Sequence, residues 1–185
     1  VKEQGASDLH VTTGAPPKIS GMKFGADGLL YAATQGTLNG PRDEKKKIIA
    51  IDPASKEVTD IATDVAPNDL IVSKSGWIYF TDTGAGQVVM VPTSARGLSR
   101  PRPAAGGINK PNGIALSADQ QFLVVSEYGG TNAWSFTIAT DGSLQAGRRL
   151  ARCAEGAEVR NPRRLGVVAL GLGADHGRVD SACTA

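Results

Sequence analysis

Two asparagines are the residues best suited to chemistry. Asn68 stands in Pro67-Asn68-Asp69-Leu70 and Asn112 in Pro111-Asn112-Gly113-Ile114, 44 positions apart. Asparagine has two common uses at such places. It closes tight turns by bonding its own backbone. Its amide oxygen is also a neutral donor of the kind a hard cation accepts, with a carboxylate such as that of Asp69 supplying charge. Either motif alone reads equally well both ways; two Asn at matching positions of a repeat favour a site. The other constellations are weaker. Asp82 and Glu127 end equivalent strands and read as turn caps before channel residues. His10 and His176 are isolated, and Cys153 and Cys183 lack metal-type spacing. No G-x-S-x-G elbow or P-loop is present. Gly171-Leu172-Gly173 begins like a dinucleotide fingerprint, but His176 stands where its last glycine belongs.

The elements that must position these residues come from a repeat. Residues 20–34, 68–82 and 112–127 align, with Gly28 matching Gly76 at an offset of 48 and Leu30, Ile78 and Leu123 matching at offsets of 48 and 45. Each copy is a short alternating strand, a turn bearing Asp or Ser with Gly, and a second β-rich run. A third strand follows at residues 48–51, 87–91 and 133–138, and turns such as Asp52-Pro53 and Asp141-Gly142 close the units. Trp77 and Trp134 fall within strand patterns and read as core. A strand-only unit recurring about every 45 residues is the mark of a β-propeller blade. The predicted fold is therefore all-β: an incomplete propeller of three to four blades, with repeats near 20–66, 67–110 and 111–147 inside a region 1–147.

Composition excludes several classes. The 185 residues carry 20 basic and 18 acidic side chains, so nothing marks a nucleic-acid or anionic-membrane binder. The run Lys45-Lys46-Lys47 reads as a solvated loop. No apolar run approaches the roughly 18 residues of a membrane span. The start, Val1-Lys2-Glu3-Gln4, shows neither an initiator Met nor a signal-peptide pattern, as a trimmed or partial product would. It leaves localisation unread.

The motifs Pro67-Asn68-Asp69-Leu70 with Trp77-Ile78-Tyr79-Phe80-Thr81-Asp82, and Lys110-Pro111-Asn112-Gly113-Ile114 with Ser126-Glu127-Tyr128-Gly129-Gly130, resemble the gluconolactonase family. Senescence marker protein (regucalcin) and luciferin-regenerating enzyme belong to that family. The resemblance covers roughly residues 16 to 147 and implies a six-bladed propeller that hydrolyses sugar lactones. It implies one divalent metal in the channel, usually Ca2+, with Zn2+, Mg2+ or Mn2+ as alternatives. It makes Asn112 a metal ligand, Asn68 a second channel residue touching metal or substrate, and Asp69 its substrate-side neighbour. The family's Glu ligand in the preceding blade has no match, since Glu3 lies in no motif. The family's Asp in the following blade has a poor echo in Asp175, within Gly173-Ala174-Asp175-His176-Gly177. Implied partners are a lactone and the missing blades of the same ring. A non-catalytic binding or sensing propeller is the alternative, because the fold alone does not fix function.

Residues 148–185 break the pattern. They hold seven Arg, both Cys and no aromatic residue, and their net charge is +3 against −1 for residues 1–147. A divergent or out-of-frame tail with poor packing is predicted there. Six blades of about 45 residues need about 270, so a ring closed by this chain alone is not expected.

Overall fold

The structure, a computed structural model, describes residues 17–37, 46–95, 99–130 and 132–152. They form three antiparallel four-stranded sheets in simple up-and-down order. The first holds β1 (Pro17–Phe24), β2 (Leu30–Thr37), β3 (Lys47–Ile51) and β4 (Val58–Thr63). The second holds β5 (Leu70–Val72), β6 (Trp77–Asp82), β7 (Gln87–Pro92) and β8 (Arg102–Gly106). The third holds β9 (Pro111–Leu116), β10 (Phe122–Glu127), β11 (Asn132–Ile138) and β12 (Leu144–Arg152). One 3-10 turn at Thr93–Ala95 is the only helical segment among the described residues. Strands β1, β5 and β9 lie side by side, so they are the innermost strands of consecutive blades. The chain is an incomplete β-propeller of three described blades.

Period-two alternation explains how the blades stack. One face of blade 1 presents Tyr31, Ala33, Ile48 and Ala50, which pack on Leu70, Val72, Phe80, Val89 and Val91 of blade 2. The other face of blade 2, with Ile71, Tyr79, Val88 and Met90, packs on Leu123, Val125 and Phe136 of blade 3. Both faces of the middle blade are thus core, and its central strands read as near-continuous apolar runs. Trp77 and Trp134 flank the second interface, each half-buried, with Arg102 5.4 Å from the ring centre of Trp77 and Arg149 5.3 Å from that of Trp134.

Hairpin chemistry fixes the strand register. Gly28 and Gly76, aligned in the repeat, hold φ of 82° and 83°, a conformation that carries a large penalty for a side chain. The third copy sets Gln120 in the same region at φ 59°, and its side-chain oxygen accepts the Lys74 N–H at 2.7 Å, tying two hairpins together. Each blade is a four-stranded sheet, as a propeller blade should be, with an outer strand that the repeat did not single out. One feature differs from the sequence reading: β12 runs to Arg152, so the change of composition at Arg148 falls inside a paired strand. Residues 153–185, with Cys153, Cys183, Asp175 and His176, and residues 1–16, with His10, lie outside the described residues.

Candidate functional site

The two Pro-Asn motifs meet at the end of the blades where the innermost strands begin. Asn68 lies just before β5 and Asn112 is the second residue of β9. Thr81, on β6 and fully buried, joins them. Its hydroxyl accepts the Asp69 N–H at 3.2 Å and donates to the Asn112 carbonyl at 2.7 Å. The backbone repeats the link: Asn68 N–H donates to Thr81 O at 2.8 Å, and Thr81 N–H to Asp69 O at 3.0 Å. A second bond crosses the same interface, from Thr83 Oγ1 to the Pro111 carbonyl at 2.6 Å. Blade 1 does likewise through Gln35, whose amide donates to the Pro67 carbonyl and to Ser20 Oγ, the latter at 3.0 Å. Ser20 aligns with Asn68 and Asn112 in the repeat, so a polar side chain stands at this position in all three copies, although β1 begins earlier, at Pro17.

The side-chain environments separate the candidates. Asn68 and Asn112 are half-buried, and their amides make no hydrogen bond among the described residues. Asp69 is half-buried; its Oδ1 accepts the Leu70 N–H at 2.9 Å and rests against Gly21 of β1. A methyl at Gly21 would strike that carboxylate and come within 3.1 Å of the Asp69 Cα, so glycine permits the close approach of blades 1 and 2. Asp82 and Glu127 serve local structure. Asp82 caps its turn by accepting the Ala85 N–H at 3.0 Å. Glu127, 4% exposed, accepts from Asn132 Nδ2 at 2.7 Å, Trp134 Nε1 at 2.8 Å and the Asn109 N–H at 3.3 Å.

The donor chemistry fits half of a hard-cation site. Amide oxygens of Asn68 and Asn112 are the neutral ligands such an ion takes, but a dication also needs carboxylates. No group of three or more His, Cys, Asp or Glu gathers to hold a metal among the described residues. A groove of about 220 Å³ lies at the hairpin end between blades 1 and 2, lined by Asp27, Tyr31, Thr59 and Thr93. A propeller channel becomes concave only when the ring surrounds it, so three blades leave the Asn end open. Sequence reasoning missed Thr81: the aligned positions carry Ala33 and the hydroxyl residue Ser126, so the residue type there gives no distinct signal.

No family model matches the chain. A gluconolactonase of Zymomonas mobilis is 30% identical over 155 residues, a match that covers 74% of this chain and 41% of that protein. The chain is similar in sequence to a gluconolactonase. A solved gluconolactonase from Xanthomonas campestris superposes with a TM-score of 0.52 at 25% identity, covering 73% of this chain and 49% of that one. A chain of a nidogen/laminin complex superposes at 0.57 with 20% identity, covering 74% and 49%, which is a likeness of fold alone. This gluconolactonase-like chain therefore spans less than half the length of each of these proteins. No helix among its described residues is long and apolar enough to cross a membrane.

Proposed function

We propose that the chain contributes three blades of a lactone-hydrolysing, metal-dependent propeller. The single observation that carries this reading is the junction at Thr81, which ties the two Pro-Asn motifs together while both Asn side chains stay unbonded among the described residues. The relationship to a gluconolactonase supplies the substrate class. In this reading Asn112 and Asn68 would hold a divalent cation, Ca2+ before Zn2+, Mg2+ or Mn2+. Such an ion would supply Lewis-acid polarisation of a lactone carbonyl toward attack by water. Asp69, beside Asn68, would orient the hydroxyls of the substrate. The carboxylates that complete the charge and take a proton from water would come from outside these three blades. Asp175, the sequence candidate for one of them, lies outside the described residues.

A second reading, a binding propeller without catalysis, is favoured by the lack of any carboxylate cluster among the described residues. Lactone hydrolysis by the ring completed with its remaining blades decides between them. Asn112→Ala and excess chelator should each abolish turnover of a sugar lactone. Equal turnover under either treatment overturns the metal-lactonase reading and leaves the binding module.

A further inference from the structure

We infer that Thr81 is a positioning residue whose hydroxyl sets the separation of Asn68 and Asn112, an inference that rests on the reading that both amides face one ligand. Two kinds of bond cross the blade interfaces, and only one is a general feature of stacking. The general one starts at the end of the second strand of a blade. Gln35 reaches the Pro67 carbonyl in the first interface, and Thr83 reaches the Pro111 carbonyl in the second. The bond from Thr81 to the Asn112 carbonyl has no counterpart in the first interface. Its place in blade 1 is taken by Ala33, which has no hydroxyl, although the first interface is just as buried. In blade 3 it is taken by Ser126, which bonds Gly113 of its own blade at 3.4 Å. Packing alone therefore does not require a hydroxyl here. It occurs where one Pro-Asn motif abuts the other.

The geometry makes the link directional. A threonine hydroxyl has one proton to give. The Asn112 carbonyl at 2.7 Å takes it in preference to the Asp69 carbonyl at 3.4 Å, and the oxygen remains free to accept the Asp69 N–H. The result is a continuous relay from the Asp69 N–H through the hydroxyl to the Asn112 carbonyl. Around a fully buried threonine such a chain is stiff and mutually polarised. It fixes the backbone of both motifs, and so the positions from which their side chains extend.

The test uses the full 185-residue chain, Ca2+ as the probe, and the side-chain amide signals of Asn68 and Asn112 in nuclear magnetic resonance as the readout. Thr81→Val keeps the shape and removes the hydroxyl. Thr83→Val removes the ordinary interface bond next to it and is the control for a merely structural loss. In the unaltered chain the two amide signals should move together as Ca2+ is added. Thr81→Val should weaken that response about tenfold, the equivalent of one buried hydrogen bond. Thr83→Val should leave it, and Thr81→Ser should restore it. Equal effects of Thr81→Val and Thr83→Val, or no effect of Thr81→Val, overturn the inference. If the unaltered chain shows no Ca2+ response, the metal reading of this chain fails. Positioning is then judged by amide exchange at Asp69 and by the contact between the two motifs. Changes confined to Thr81→Val support it, and changes shared with Thr83→Val, or none, overturn it. If the valine variant does not fold, Thr81→Cys, which keeps volume with a weak donor, takes its place, and the same outcomes support or overturn the inference.

Discussion

At the scale of residues, burial decides which polar groups are structural and which are left for a ligand. Glu127 commits both carboxylate oxygens to Asn109, Asn132 and Trp134 inside blade 3. Glu127→Ala should therefore destabilise the chain by about 1 kcal/mol in denaturant melts, because the partly buried Asn132 and Trp134 lose their acceptor. It should leave any Ca2+ response of Asn112 in place; loss of that response with stability intact would make Glu127 a ligand instead. Tyr79 donates to the Gly142 carbonyl at 2.7 Å, and burial pushes its phenol from 10.0 up to about 12, with Asp141 adding to the rise. The unfolded chain thus releases this proton first as pH climbs. The stability conferred by the neutral phenol is complete below about pH 10 and is lost on the way to about pH 12. Tyr79→Phe should flatten that alkaline loss in melts at stepped pH, and an unchanged slope would assign it to other groups. Asn68 and Asn112 are legible as a pair from their spacing. Thr81 is not, because a threonine in a strand is ordinary until its partners across the interface are known.

At the scale of elements, the inner three strands of each blade can be read from the sequence and the outer one cannot. Inner strands are covered on both faces and show long apolar runs such as Ile78, Tyr79 and Phe80, all fully buried. Outer strands have one free edge, so their composition is loosely constrained. The strand β8 reads Arg-Pro-Ala-Ala-Gly with no residue fully buried. The same freedom lets β12 carry Arg148 and Arg149, paired with Ser135 and Trp134. A shift toward arginine is for this reason a poor marker of where the third blade ends. The hairpins make a sharper prediction. Gly76→Ala forces a side chain into positive φ and brings its methyl within 3.2 Å of Thr93 Oγ1. Stability should fall by about 1 kcal/mol or more, measured by thermal melting, whereas Gly106→Ala, with open space around it, should change little.

At the scale of the molecule, blade 1 shows what an open ring leaves behind. Met22 and Phe24 are 57% and 61% exposed on the face turned away from blade 2, beside Ile19. Apolar surface of this kind drives association. The chain alone should bind a hydrophobic dye and self-associate as its concentration rises. The double change Met22→Ser with Phe24→Ser should suppress both in dye fluorescence and sedimentation; association unchanged by it would locate the sticky surface elsewhere. The sequence alone is enough to read a β-structured chain, three repeats, a resemblance to the gluconolactonase family and two asparagines at equivalent places. It is enough because alternation, turn residues and repeat spacing are local properties, and each is written several times over. Only the tertiary structure decided which carboxylates are consumed by their own blade and which threonine joins one motif to the next. The bond of Thr81 to Asn112 joins residues 31 positions apart on different blades, and the partners of Glu127 lie on either side of it in the chain, 18 positions before at Asn109 and 5 and 7 after at Asn132 and Trp134, so only the folded arrangement shows that they meet.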